Sequence, residues 1–181
     1  MQDVLLVAAT ERELDGRDGL VCGIGPVEAG VTTSRALALR SYAAVLHVGV
    51  AGGRGLAPGS FVIGSEAVYC DLAAAIPVVD RVPADPRLVD AARRALPDAQ
   101  VLPIGTSAAV GRVADAFAVE AMEGFGVLRA AALAGVPAVE VRAISNEIGE
   151  PDRSRWRISE AIAALSNAVP DLLAGIEGSL V

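Results

Sequence analysis

The chain has 181 residues and a formal net charge of −7, and it is 53% hydrophobic but only 3% aromatic. That length suits one domain, residues 1–181, with a sizeable core. The acidic balance argues against nucleic acid or an anionic membrane as partner, and the absence of lysine excludes Schiff-base chemistry.

In chain order, residues 3–9 read as a buried strand and residues 10–19 as a polar turn. A second short strand over 19–23 ends in Gly23-Ile24-Gly25, and Pro26 opens a helix with apolar positions at Val27, Val31, Leu37 and Leu39. Residues 42–53 form a third strand running into glycines, and residues 60–71 a long strand with a bend at Gly64. The stretch 72–86, with prolines at 77, 83 and 86, reads as a loop. A helix over 86–96, a strand over 100–106, a helix over 119–134 and a strand over 137–144 follow. Ser154 is placed to cap a last helix over 155–167 that resumes after Pro170 as far as Ile176.

Strands and helices that alternate in this way predict an α/β layer structure with a largely parallel sheet. Ligands in such sheets bind beyond the carboxyl ends of strands, where the glycine and polar clusters of this chain fall. The start, Met-Gln-Asp before an apolar run, lacks the basic stretch of a secretory signal. The longest apolar segments fall short of the ~20 residues a bilayer span needs. Cys22 and Cys70 read as reduced core thiols of a cytoplasmic protein, with a disulfide as the alternative.

The most informative stretch is AVEVRAISNEIG, residues 138–149, in which an apolar strand carries Arg142 and runs into Ser145, Asn146 and Glu147. Polar groups at the end of a buried strand are costly unless something polar meets them. Glu11 and Glu13 stand just past the first strand, where one of them could deprotonate a water; a solvated turn is the plain alternative. Met122-Glu123 offers an apolar floor and a carboxylate, which suits a sugar ring and its hydroxyls, although a helix-surface glutamate reads the same way. Gly49-Val50-Ala51-Gly52-Gly53 is either a turn or a close backbone approach to a flat ligand. His47 reads as a satisfied core histidine. A dinucleotide reading of Gly23-Ile24-Gly25 fails because Glu28 stands where the third glycine belongs.

Taken in order, VAATERE, GIGPVEAG, HVGVAGG, VEAMEG and VRAISN resemble the nucleoside phosphorylase/nucleosidase superfamily, nearest the branch that holds methylthioadenosine/adenosylhomocysteine nucleosidase. Within that branch, EVRAISN followed by DRSRW is similar to the futalosine hydrolase family, which acts in a menaquinone pathway. The resemblance implies a three-layer α/β/α sandwich around a twisted, mostly parallel central sheet. It also implies a purine nucleoside as substrate, a homo-oligomer (dimer or tetramer), and no metal or organic cofactor. By position it makes Glu13 the carboxylate that orients and deprotonates water, Glu123 the ligand of the ribose hydroxyls, and Met122 the residue beneath the sugar. Val50, Ala51 and Gly52 fall beside the base and anomeric carbon, and Arg142 near the water and its glutamate. Ser145 joins the substrate-binding set, as does Val110 at the end of a segment, 106–110, read as stacking on the purine.

Asn146 stands where the adenine-specific relatives keep an aspartate. A carboxyl suits a 6-aminopurine, because it accepts from the amine while protonating N7. Hypoxanthine has a carbonyl at that position, and an amide can donate to it while accepting from N7–H. A buried pairing of this kind rejects the wrong base strongly, since a mismatch strands polar groups. A 6-oxopurine nucleosidase is therefore expected. The rivals are an adenine-type nucleosidase that tolerates Asn146 and a silent nucleoside-binding domain. Phosphorolysis is disfavoured because Glu11 and Glu13, flanked by the single Arg12, stand where an anion would sit. A sugar-linked carboxyphenyl ketone such as futalosine's calls for an apolar slot and a cation. Trp156 with Arg153, Arg155 and Arg157 could supply them, or could be a polar helix start with the indole packed on the core. The spans between Glu13 and Leu20 and over 72–86 are short for the family.

Overall fold

A computed structural model describes residues 3–111, 113 and 116–180; Met1 and Gln2, part of the start read as free of a leader, lie outside them. The strands are β1 (Val4–Ala8), β2 (Leu20–Val21), β3 (Ala44–Gly53), β4 (Phe61–Tyr69), β5 (Arg81–Pro83), β6 (Gln100–Thr106), β7 (Val119–Ala121) and β8 (Ala138–Glu147). The helices are α1 (Glu11–Leu14), α2 (Pro26–Leu39), α3 (Pro86–Ala95), α4 (Gly124–Ala134) and α5 (Ile158–Ser179), with a 3-10 turn over Arg153–Arg155.

The fold is α/β, as expected, and its sheet is mixed. Among the described residues, five of the eight strand pairings are parallel and three antiparallel. Strand order is β2-β1-β3-β7-β6-β4-β5, and β8 pairs with both β3 and β4. The pairings thus run from β3 through β7, β6, β4 and β8 back to β3, closing the centre of the sheet on itself. The bend expected at Gly64 is a register shift against β6 between Gly64 and Glu66.

Alternation along β1 and β3 sends side chains to two opposite faces. Leu6, Ala8, Leu46 and Val48 join a core with Val139, Val141 and residues of α3 and α5. Leu5, Val7 and Val45 face the other way, against α2 and α4 through Ala29, Val127, Leu128 and Ala131. Helices α2 and α4 meet at glycine: a Cβ on Gly126 would lie 2.2 Å from the Pro26 carbonyl oxygen.

Four local expectations need correction. The polar turn after β1 contains α1, because Thr10 and Glu13 form a reciprocal capping box. The loop over 72–86 contains the edge strand β5, where Pro83 is tolerated because no further strand needs its missing N–H. The helix predicted over 119–134 is strand β7 followed by α4, so Met122 and Glu123 occupy the junction between them, with Glu123 as the N-cap of α4. Finally, Asp152 rather than Ser154 caps, and it caps the 3-10 turn. Helix α5 then runs unbroken through Pro170. Proline leaves the carbonyl four residues earlier without its helical partner. That carbonyl, on Ser166, accepts instead from the Arg17 guanidinium at 2.6 Å.

Candidate active site

The parallel register of β3 and β8 sets His47 opposite Glu140 and Gly49 opposite Arg142. Residues two apart in a strand share a face, so Glu140 and Arg142 leave the core side to Val139 and Val141. All three polar side chains are fully buried. Arg142 Nε donates to Glu140 Oε1 at 2.7 Å, and Nη2 donates to Glu123 Oε2 at 3.3 Å. Nη1 reaches the Val50 carbonyl oxygen at 3.4 Å. A lone buried guanidinium would be prohibitive, and the surrounding carboxylates offset that cost. Burial works against the charge of Arg142, yet Glu140, Glu123 and Glu13 together hold its pKa above the ordinary arginine value. Burial, then the nearby Arg142 charge, pushes His47 well below its ordinary value. Its ring is therefore neutral at pH 7 and 3.3 Å from Arg142 Nη2 through Nε2. Burial raises the pKa of Glu140 despite Arg142, and among the described residues its Oε2 has no hydrogen-bond partner.

Glu13 and Glu123 reach this cluster from two helix starts. The capping box fixes Glu13: Thr10 donates to Oε2 from its backbone N–H at 3.1 Å and from its hydroxyl at 2.8 Å. The Val50 N–H donates to Glu13 Oε1 at 3.1 Å. Glu123 Oε1 accepts from the Gly25 N–H at 3.2 Å, while Oε2 faces Arg142. Both carboxylates are almost wholly buried, and both line a cavity of about 330 Å³.

Met122, Ser145 and Asn146 stand on the same wall, as do Val50, Ala51, Gly52 and Val110. Asn146 Nδ2 donates to the Glu147 carbonyl at 3.0 Å, and Ser145 Oγ lies 2.7 Å from Asn146 Oδ1. The amide has a second N–H and a further lone pair to offer. Of the ten site residues that the resemblance implies, all meet at this cavity except Arg142, which sits behind its wall and grips Glu123. Of the segment 106–110, Val110 alone is on the wall, and Glu11 is exposed and not on it. Among the described residues no group of three or more His, Cys, Asp or Glu side chains is arranged to hold a metal.

Sequence reasoning missed four contributors. Thr10 was legible in the spacing Thr-x-x-Glu, the capping-box signature. Glu140 carries no local signal beyond its two-residue offset from Arg142. Glu120 accepts from the Gly111 and Val113 N–H groups at 2.6 and 2.9 Å, tying down the loop that carries Val110. Arg12 lines the cavity together with Trp156. Arg153, Arg155 and Arg157 do not line it: Arg155 pairs with Glu150, Arg157 with Glu160, and Arg153 lies over the Trp156 ring.

The family model described as Phosphorylase superfamily matches residues 19–114. A futalosine hydrolase of Streptomyces coelicolor is 38% identical, over 90% of this chain and 81% of that protein. Another, from Acidothermus cellulolyticus, is 34% identical over 89% and 77%. Among solved structures, a 5′-methylthioadenosine/S-adenosylhomocysteine nucleosidase from Neisseria meningitidis in complex with methylthio-immucillin-A superposes with a TM-score of 0.84 at 21% identity, covering 96% of this chain and 99% of that one. The native futalosine hydrolase of Helicobacter pylori gives 0.85 at 16% identity, covering 96% and 97%. These two share the fold. Sequence identity and the family match together establish that the chain belongs to the futalosine hydrolase family within the phosphorylase superfamily.

Proposed function

We propose that residues 1–181 form a single catalytic domain that hydrolyses the N-glycosidic bond of futalosine and releases hypoxanthine, as a step of menaquinone biosynthesis. The observation that carries this reading is the convergence of Glu13, Glu123 and Asn146 on one cavity, in a chain with futalosine hydrolases as its curated relatives. Glu123, held by Arg142 and the Gly25 N–H, accepts from the ribose hydroxyls above Met122. Glu13, held by Thr10 and the Val50 N–H, takes a proton from water as the water oxygen bonds the anomeric carbon. The purine leaves with the electron pair of the broken bond and takes up a proton from solvent at N7, while Asn146 donates to its 6-oxygen and accepts from N7–H. Donors aimed at charge that develops on a leaving group supply much of the rate enhancement in many enzymes.

Water is favoured over phosphate because the buried carboxylates of Glu13 and Glu123 would face the incoming anion, whereas Arg142 is committed to Glu123 and Glu140. Homo-oligomerisation, as dimer or tetramer, is part of the reading. Ile24, on the cavity wall, and Val27 and Val31 of α2 are 63%, 72% and 65% exposed, and a second copy covering them would extend the apolar wall. A cytoplasmic location is supported by the unpaired Cys22 and Cys70. Among the described residues no helix is long and apolar enough to cross a membrane.

The test is incubation of the purified protein with futalosine, with and without phosphate, followed by chromatography of the products. Hypoxanthine and the free sugar are expected in both. A sugar 1-phosphate that appears only with phosphate would make the enzyme a phosphorylase, and no released base would leave a binding domain.

A further inference from the structure

Part of the cavity wall is poorly matched to a purine or a ribose. Trp156, Ile158 and Ile162 make it apolar, and Arg12 stands with them. Adjacent residues of a helix point about 100° apart, so the turn of α1 that buries Glu13 leaves Arg12 exposed at the rim. Its Nη2 donates to Ser159 Oγ at 2.8 Å, which ties α1 to the first turn of α5. Among the described residues the Arg12 side chain has no other hydrogen bond and no carboxylate partner. The Trp156 indole is held by its own N–H, which donates to the Glu150 carbonyl at 3.1 Å.

A guanidinium with unused donors beside a fixed aromatic wall is suited to an aryl carboxylate, which takes parallel N–H bonds at one end and ring contact along its body. Resting on the reading of futalosine as substrate, we propose that Arg12 is a specificity-determining residue. It binds the carboxylate of the substrate's carboxyphenyl arm, with Trp156, Ile158 and Ile162 as the slot for the ring. The three arginines around Trp156 take no part, since two are paired with glutamates and none lines the cavity.

The experiment compares kcat/KM for futalosine and for its carboxyl methyl ester, in the native protein, Arg12→Met and Arg12→Lys. The native protein should prefer the acid on the order of 10- to 100-fold, the range of one charged hydrogen-bonded contact. Arg12→Met should bring the acid-to-ester ratio close to one, mainly through KM, and Arg12→Lys should restore part of it. A native protein that cleaves both equally, or an Arg12→Met ratio that does not change, overturns the assignment and leaves hypoxanthine release intact. Release of hypoxanthine from neither compound overturns the substrate reading as well.

Discussion

Gly49 and Arg142 face each other in neighbouring parallel strands, and the guanidinium of Arg142 fills the space that any side chain at position 49 would need. A Cβ there would lie 2.2 Å from Arg142 Nη1 and 2.9 Å from Glu13 Oε1. Glycine at this position is thus a condition for both the carboxylate and the guanidinium to come this close to the strand. Gly49→Ala should displace both. Overpacking of this kind costs about 1–3 kcal/mol, and we expect kcat/KM to fall by about 100-fold, as misplacement near 1 Å does. Urea denaturation and steady-state kinetics on one preparation check both numbers.

Glu13→Gln keeps the side-chain size but replaces one acceptor oxygen with a donor, opposite either Val50 N–H or the Thr10 pair. Loss of a general base typically costs about 10²–10⁴ in rate. We expect kcat to fall by that much while the dissociation constant for substrate changes less than about tenfold. A kcat within a factor of a few of the native value would assign the water to another residue.

Arg142 is fully buried between Glu140 and Glu123. Removing one partner of such a pair strands the other charges and costs about 3–5 kcal/mol. Arg142→Met should lose stability in that range, measured by chemical denaturation. Glu140→Gln should lose less, since it leaves a neutral group that still accepts from Arg142 Nε.

The neutral His47 makes stability depend on pH. Its folded pKa lies below the ordinary 6.5, so below that pH the unfolded chain binds a proton that the folded chain refuses. Stability from this group is therefore lost as pH falls through the window below 6.5, with a slope of at most about 1.4 kcal/mol per pH unit. Glu140, raised above its ordinary 4.5 by burial, has the opposite sign: its contribution fades as pH rises from 4.5. Arg142 and Glu140 face the ring. The difference between native and His47→Gln denaturation curves from pH 7.5 to 5.5 isolates the histidine. A difference that stays constant over that range would mean that His47 takes up its proton in the fold as readily as in the unfolded chain.

Much of the fold was legible because largely apolar runs near glycine and proline mark buried strands, as in 44–53, 100–106 and 138–144. The misread elements were short or were rescued at long range. Three residues of β7 carry no period, and nothing near Pro170 announces that Arg17, far back in the chain, satisfies the Ser166 carbonyl. Within the site, Glu13, Glu123, Asn146 and their neighbours were found through motif order. The buried partner Glu140 was invisible because pairing across β3 and β8 is a matter of register. The arginine cluster after residue 150 suggests a cation on the cavity wall there, whereas the arginine on that wall is Arg12, because α1 packs on α5.

The central claim is that Asn146, with Glu13 and Glu123, makes a hydrolase for 6-oxopurine nucleosides. Its most direct test is the ratio of kcat/KM for futalosine to that for methylthioadenosine with the native protein. Because a mismatched base strands buried polar groups, we expect futalosine to be favoured by at least about 100-fold. Faster release of adenine than of hypoxanthine would contradict the claim.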